Sequence, residues 1–163
     1  KQKYRIIDDK FLLYGFSSGG QFTHRFFYLY PDYLLGVSIG APGWITYVDD
    51  SKPWYVGTKN FEKHFGYSLP LEKMKQVPVQ LVIGEKDTDT SLINDRSLAV
   101  WMEGLDEHGK TRVERLEALK KNYEELGISV RYDVVPDVGH EDLRILDPVK
   151  YFFSKVLKNR GVL

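Results

Sequence analysis

Residues 10–16, Lys10-Phe11-Leu12-Leu13-Tyr14-Gly15-Phe16, form a short and nearly unbroken apolar run that passes at once into Ser17-Ser18-Gly19-Gly20. A run of this length with little alternation has the pattern of a strand buried on both faces. Beyond the four small residues, 21–30 read as a helix closed by Pro31. Strand, tight turn and helix therefore follow one another directly. That unit belongs to an α/β architecture.

The rest of the chain repeats the alternation. Residues 34–40, 77–83 and 129–135 are further strand candidates, the first two ended by Ala41-Pro42-Gly43 and Gly84. Residues 111–126 give the clearest helix, with Val113, Leu116, Leu119, Tyr123 and Leu126 stepping by three or four and Gly127 as its stop. Its charged residues Arg112, Glu114, Arg115, Glu117, Lys120 and Lys121 read as a solvated face. A last helix is expected over 148–157. Strands separated by helices imply a mostly parallel sheet with flanking helices and right-handed crossovers. At 163 residues the chain fits one domain. Residues 43–76 interrupt the alternation: Trp44, Tyr47, Trp54, Tyr55, Phe61, Phe65 and Tyr67 lie there among Gly and Pro, with a short helix expected near 60–65. Disordered loops are poor in aromatics, so this stretch reads as a folded, cap-like insertion over the strand ends.

Composition removes several classes. Basic and acidic residues both number 23, a neutral balance that argues against broad nucleic-acid or acidic-membrane binding. No apolar run approaches the roughly 20 residues of a membrane helix. The absence of cysteine excludes disulfides, thiolate metal sites and a cysteine nucleophile. The histidines have no metal-ligand spacing, and neither a metal nor a cofactor is expected. His24 reads as a packing or hydrogen-bonding residue, and His64 and His108 as surface positions. The opening residues, Lys1-Gln2-Lys3-Tyr4-Arg5 into Ile6-Ile7-Asp8-Asp9, lack the apolar core of a secretory leader, and any such leader would lie upstream of Lys1. Compartment and oligomeric state are left open.

Gly15-Phe16-Ser17-Ser18-Gly19 matches G-x-S-x-G, a weak pattern alone but a specific one between a buried strand and a helix. A serine on such an elbow is presented above the sheet at a helix N-terminus, where developing negative charge is favoured. Gly15 and Gly19 are then expected where side chains would collide across the turn, and the Ser18 N–H is a candidate oxyanion donor. The competing reading, a phosphate-cradling turn, lacks the P-loop lysine and the dinucleotide glycine spacing. A serine nucleophile needs an oriented base. The third strand runs into Gly84-Glu85-Lys86-Asp87-Thr88-Asp89 and the fourth into Pro136-Asp137-Val138-Gly139-His140. Both loops leave the carboxyl ends of their strands, where sites in open α/β sheets lie. Asp87 is the favoured acid over Asp89 and Glu85, and His140 is the candidate base. Trp44, Trp54 and Tyr55 are candidate linings of an apolar substrate pocket.

With elbow, acid loop and histidine loop placed, the sequence resembles the α/β-hydrolase superfamily, particularly its bacterial esterase-like members, over roughly residues 10–157. The resemblance implies a serine hydrolase acting on carboxylic esters through a Ser17–His140–Asp87 triad and an acyl-enzyme. A peptidase of the same fold and a non-catalytic ligand-binding relative are the alternatives. In that fold the elbow strand is the fifth of eight, so the chain corresponds to the C-terminal half. The missing strands would take on the order of 100 residues at about 30 per βαβ unit. An upstream half of the same domain is therefore expected, carrying the strand beside residues 10–16 and the second oxyanion donor.

Overall fold

The computed structural model describes residues 9–161. The opening stretch read above for a leader lies, apart from Asp9, outside the described residues. Strand β1 (Phe11–Phe16) leads through Ser17 into helix α1 (Ser18–Leu29). Strand β2 (Leu34–Gly40), short helices α2 (Phe61–Phe65) and α3 (Leu71–Met74), and strand β3 (Val79–Gly84) follow. Helix α4 (Arg112–Glu125), strand β4 (Val130–Val135) and helix α5 (Leu146–Asn159) complete the order.

The four strands pair in sequence order β1-β2-β3-β4, all parallel, so every carboxyl end lies on one edge. Helices α1 and α4 cover one face, where Phe27, Tyr28, Leu116, Leu119 and Tyr123 pack on Val37, Ile39, Val79, Leu81 and Ile83. Helix α5 covers the other, with Phe152 and Val156 on Leu35 and Val149 near Val82. In β3 this is period-2 alternation: Val79, Leu81 and Ile83 face α1 and α4, and Val82 faces α5. In β2 the alternation slips at Leu35, where Phe11 pairs with Leu34 but Leu12 with Gly36. The extra residue turns Leu35 toward α5.

β1 is half-buried and is an edge strand among the described residues, the edge at which the sequence reading places the strand of an upstream half. Within the aromatic stretch, residues 46–48 are tied to α1 and α4. Thr46 is gripped from three sides: its N–H donates to His24 Nε2 at 2.9 Å, its carbonyl accepts from Tyr28 Oη at 2.6 Å, and its hydroxyl accepts from Arg25 Nε at 2.9 Å. Asn122 of α4 pairs with both the N–H and the carbonyl of Val48. Further along, Trp54, Phe61, Phe65 and Tyr67 form an aromatic cluster with centroids 4.8–5.8 Å apart. His24 is fully buried, as its hydrogen-bonding role requires, and His64 is exposed. His108 departs from the surface reading: it is half-buried and stacks on Tyr47 at 4.0 Å.

Candidate active site

Ser17 sits between β1 and α1 at φ 55° and ψ −115°, a left-handed conformation that L-residues rarely adopt. Its N–H donates to the Gly40 carbonyl at 2.9 Å, and its own carbonyl accepts from the Gln21 N–H at 3.0 Å. Close approach forces glycine on both sides of the turn. A Cβ on Gly15 would stand 2.2 Å from the Gly19 carbonyl oxygen, and one on Gly20 2.3 Å from the Gly40 oxygen. Gly19, expected to share that constraint, would carry a Cβ with nothing within 4 Å among the described residues. The second steric demand falls on Gly20, because α1 turns that residue toward the end of β2.

The acid and histidine loops are zipped together. A Cβ on Gly84 would lie 2.3 Å from the Val138 carbonyl oxygen, so only glycine lets the two backbones meet. The Glu85 N–H donates to the Val135 carbonyl at 2.9 Å, and the Lys86 N–H to that of Val138 at 2.7 Å. The Asp137 N–H donates to Glu85 Oε2 at 3.1 Å. From the β1 side, Tyr14 donates its hydroxyl to Asp142 Oδ1 at 2.6 Å, and Phe16 lies against the His140 ring at 4.5 Å. Burial and the Asp142 carboxylate both raise the Tyr14 pKa, so the phenol remains a donor.

These contacts bring together residues far apart in the chain. His140 Nε2 lies 2.9 Å from Ser17 Oγ, and His140 Nδ1 lies 2.6 Å from Asp87 Oδ2. With Nδ1–H donating to the carboxylate, Nε2 carries the lone pair and accepts from the serine hydroxyl. The Asp87 side chain is fully buried, whereas the His140 side chain is 29% exposed. The other acid candidates are engaged elsewhere: Glu85 accepts from Asp137, and Asp89 accepts from the Ser91 N–H, which with the Ser91 hydroxyl holds its carboxyl below the usual range.

Beside Ser17 opens a cavity of about 220 Å³ lined by Ser17, Ser18, Gln21, Gly43, Trp44, Leu92, Ile93, Leu98 and Arg112. Trp44 is fixed there by its Nε1–H donating to the Ile93 carbonyl at 2.8 Å. Trp54 and Tyr55 do not line this cavity. Trp54 packs edge-on against Phe61 and Phe65, and Tyr55 lies under the Arg25 guanidinium with its hydroxyl on the Val100 carbonyl. Both are drawn away because the 45–48 segment is tied down beside α1 and α4. The apolar wall comes instead from residues 92–98, beyond the acid loop.

Two residues assigned to a solvated face belong to the site's framework. Arg112 is 6% exposed and Arg115 fully buried. Arg112 Nη1 donates to Asp87 Oδ1 and to the Asp89 carbonyl, both at 3.2 Å. Arg115 donates to the carbonyls of Gly43 at 2.6 Å, Gly109 at 2.9 Å and Ile93 at 3.2 Å, and to Asn94 Oδ1 at 2.6 Å. Burial pushes the Arg115 pKa down to about 10, still charged at neutral pH. The signal was present in the spacing: 112, 115, 116, 119, 122 and 123 form one helical stripe and are the buried residues of α4.

Among the described residues no three His, Asp or Glu side chains gather in a metal-ligating group, and no helix is long and apolar enough to cross a membrane. No family model matches the chain, and no curated protein matches it in sequence. Solved structures do. Poly(aspartic acid) hydrolase-1 from Sphingomonas sp. KT-1 superposes with TM-score 0.69 at 23% identity, over 88% of this chain and 55% of that one. LpqC, a poly(3-hydroxybutyrate) depolymerase from Bordetella parapertussis, gives 0.63 at 22% identity, over 81% and 44%. A variant of SOBER1 from Arabidopsis thaliana gives 0.60 at 16% identity, over 96% and 58%. The chain thus spans about half the length of the structures it matches. Its parallel sheet, its strained serine turn and these likenesses identify it as part of an α/β-hydrolase fold.

Proposed function

We propose that this chain carries the catalytic residues of a serine hydrolase that cleaves carboxylic esters through an acyl-enzyme. The observation that carries the proposal is the relay from Ser17 Oγ through His140 to the buried Asp87, at 2.9 and 2.6 Å. Ser17 attacks the ester carbonyl while His140 Nε2 takes its proton, and Asp87 holds the imidazole in the required tautomer and stabilises the imidazolium. The Ser18 N–H, in the first turn of α1 where amides lack intrahelical acceptors, is the proposed donor to the oxyanion. His140 then protonates the departing alcohol, and water activated by the same nitrogen releases the acid.

The cavity beside Ser17 is the proposed acyl site, with Trp44 as its aromatic wall. At about 220 Å³ it is smaller than the roughly 300–1,000 Å³ of pockets for drug-sized ligands, which favours short acyl chains. The second oxyanion donor is assigned to a preceding half of the same domain that covers β1. Phe11, Phe22 and Tyr30, which are 42%, 60% and 45% exposed, form with Phe26 a row of ring contacts beside that strand, and such a row favours coverage.

Fluorophosphonate labelling of the full-length protein, read by intact mass, tests the proposal. One adduct on Ser17, lost in Ser17→Ala and in His140→Ala, is expected. Residues 1–163 alone should label more slowly, since one absent oxyanion donor costs about 10²–10³ in rate. A folded full-length protein that takes no label would refute the assignment.

A further inference from the structure

We propose that Arg112 is a positioning residue for this reaction, acting through Asp87; the inference rests on the serine-hydrolase reading above. Asp87 is buried, and its two carboxylate oxygens have one side-chain partner each: His140 Nδ1 on Oδ2 at 2.6 Å and Arg112 Nη1 on Oδ1 at 3.2 Å. A carboxylate held by the imidazole alone is free to turn about its Cβ–Cγ bond. The second bond, on the other oxygen, fixes the plane in which Oδ2 faces the ring. A buried carboxylate also requires a counter-charge. Arg112 supplies one, its guanidinium being in contact with the Asp87 carboxylate.

Arg112 is itself placed with little freedom. It is the first residue of α4, directly after a capping box in which Thr111 Oγ1 accepts from the Glu114 N–H and the Glu114 carboxylate accepts from the Thr111 N–H. One turn on, Arg115 binds the Gly43 and Ile93 carbonyls and anchors the same helix end to the cavity wall. Arg112 Nη1 also holds the Asp89 carbonyl, so a single guanidinium nitrogen fixes both the carboxylate and the chain two residues beyond it. The base is thereby oriented by a chain of contacts that starts in a helix lying outside all three triad loops.

The test uses the full-length protein with a chromogenic short-chain ester, comparing Arg112→Met, Arg112→Lys and Arg112→Gln, each also in an Asp87→Asn background. A displaced acid is expected to lower kcat of Arg112→Met by on the order of 10²-fold with KM little changed. Lysine, which keeps the charge, should recover most of that loss. In the Asp87→Asn background Arg112→Met should cost almost nothing more, because its route of action is already gone. The glutamine variant carries the same comparison should the methionine variant fail to fold. A raised KM with unchanged kcat would overturn the proposal in favour of a substrate contact. Equal losses in both backgrounds would overturn it in favour of a general structural role. Absence of labelling at Ser17 in the wild type would remove the hydrolase reading itself, and this proposal with it.

Discussion

His24 makes the protein's stability acid-sensitive in a definite window. The ring is fully buried, with Nδ1 at 3.0 Å from the Gly20 carbonyl and Nε2 accepting from the Thr46 N–H at 2.9 Å. Nδ1 is then the donor, and the ring is neutral. Burial, reinforced by the Arg25 charge, pushes its pKa from 6.5 down to about 3. Below pH 6.5 the unfolded chain therefore binds a proton that the folded chain refuses. Stability is fully present above 6.5 and falls as the pH drops toward 3, by about 1.4 kcal/mol per pH unit. Moving from pH 7 to pH 5 should cost about 2 kcal/mol from this one group, a substantial part of the 5–15 kcal/mol typical of a domain. Urea unfolding of the wild type and His24→Gln at both pH values isolates it. The variant, less stable at pH 7, should lose about 2 kcal/mol less on acidification. Parallel losses in both proteins would refute the assignment of a neutral, buried His24.

The remaining predictions concern the loops and the cavity. Gly84→Ala forces a Cβ to within 2.3 Å of the Val138 carbonyl oxygen, so it should cost about 1–3 kcal/mol in denaturant unfolding and lower kcat by separating Asp87 from His140. Trp44→Ala should change the preference among acyl chain lengths, measured as the ratio of kcat/KM for acetate and hexanoate esters. Trp54→Ala should leave that ratio alone and reduce Tm, because its contacts are with Phe61 and Phe65.

What could be read from the chain was whatever short-range sterics and strand order dictate. The turn at Ser17 announces itself because strand, serine and glycines are contiguous, and the acid and histidine loops because each follows a strand rich in β-branched residues. What escaped depends on which neighbour a side chain meets. Gly19 and Gly20 are adjacent and identical in sequence. They differ only because the helix faces one of them toward Gly40. Trp54 and Tyr55 carry the apolar bulk a pocket wall needs, but the grip of His24, Tyr28 and Asn122 on residues 46–48 takes that segment along α1 and α4. β1 reads as a central strand from its composition, and among the described residues it is a half-buried edge strand.

Arg112 and Arg115 show why charge misleads most where it is buried. On the surface a charged residue marks the face turned to water, and reading α4 that way put both arginines outside. The periodicity contradicted it, since both fall on the stripe with Leu116, Leu119 and Tyr123. A buried arginine is tolerated only where acceptors already converge, and those acceptors are loop carbonyls and a carboxylate that no helical pattern records. Where periodicity and polarity disagree on a helix, periodicity states the geometry. The polar residue it places inside then points to backbone that has left regular structure. In this chain that backbone is the set of loops around Ser17, so the two arginines back the proposed site.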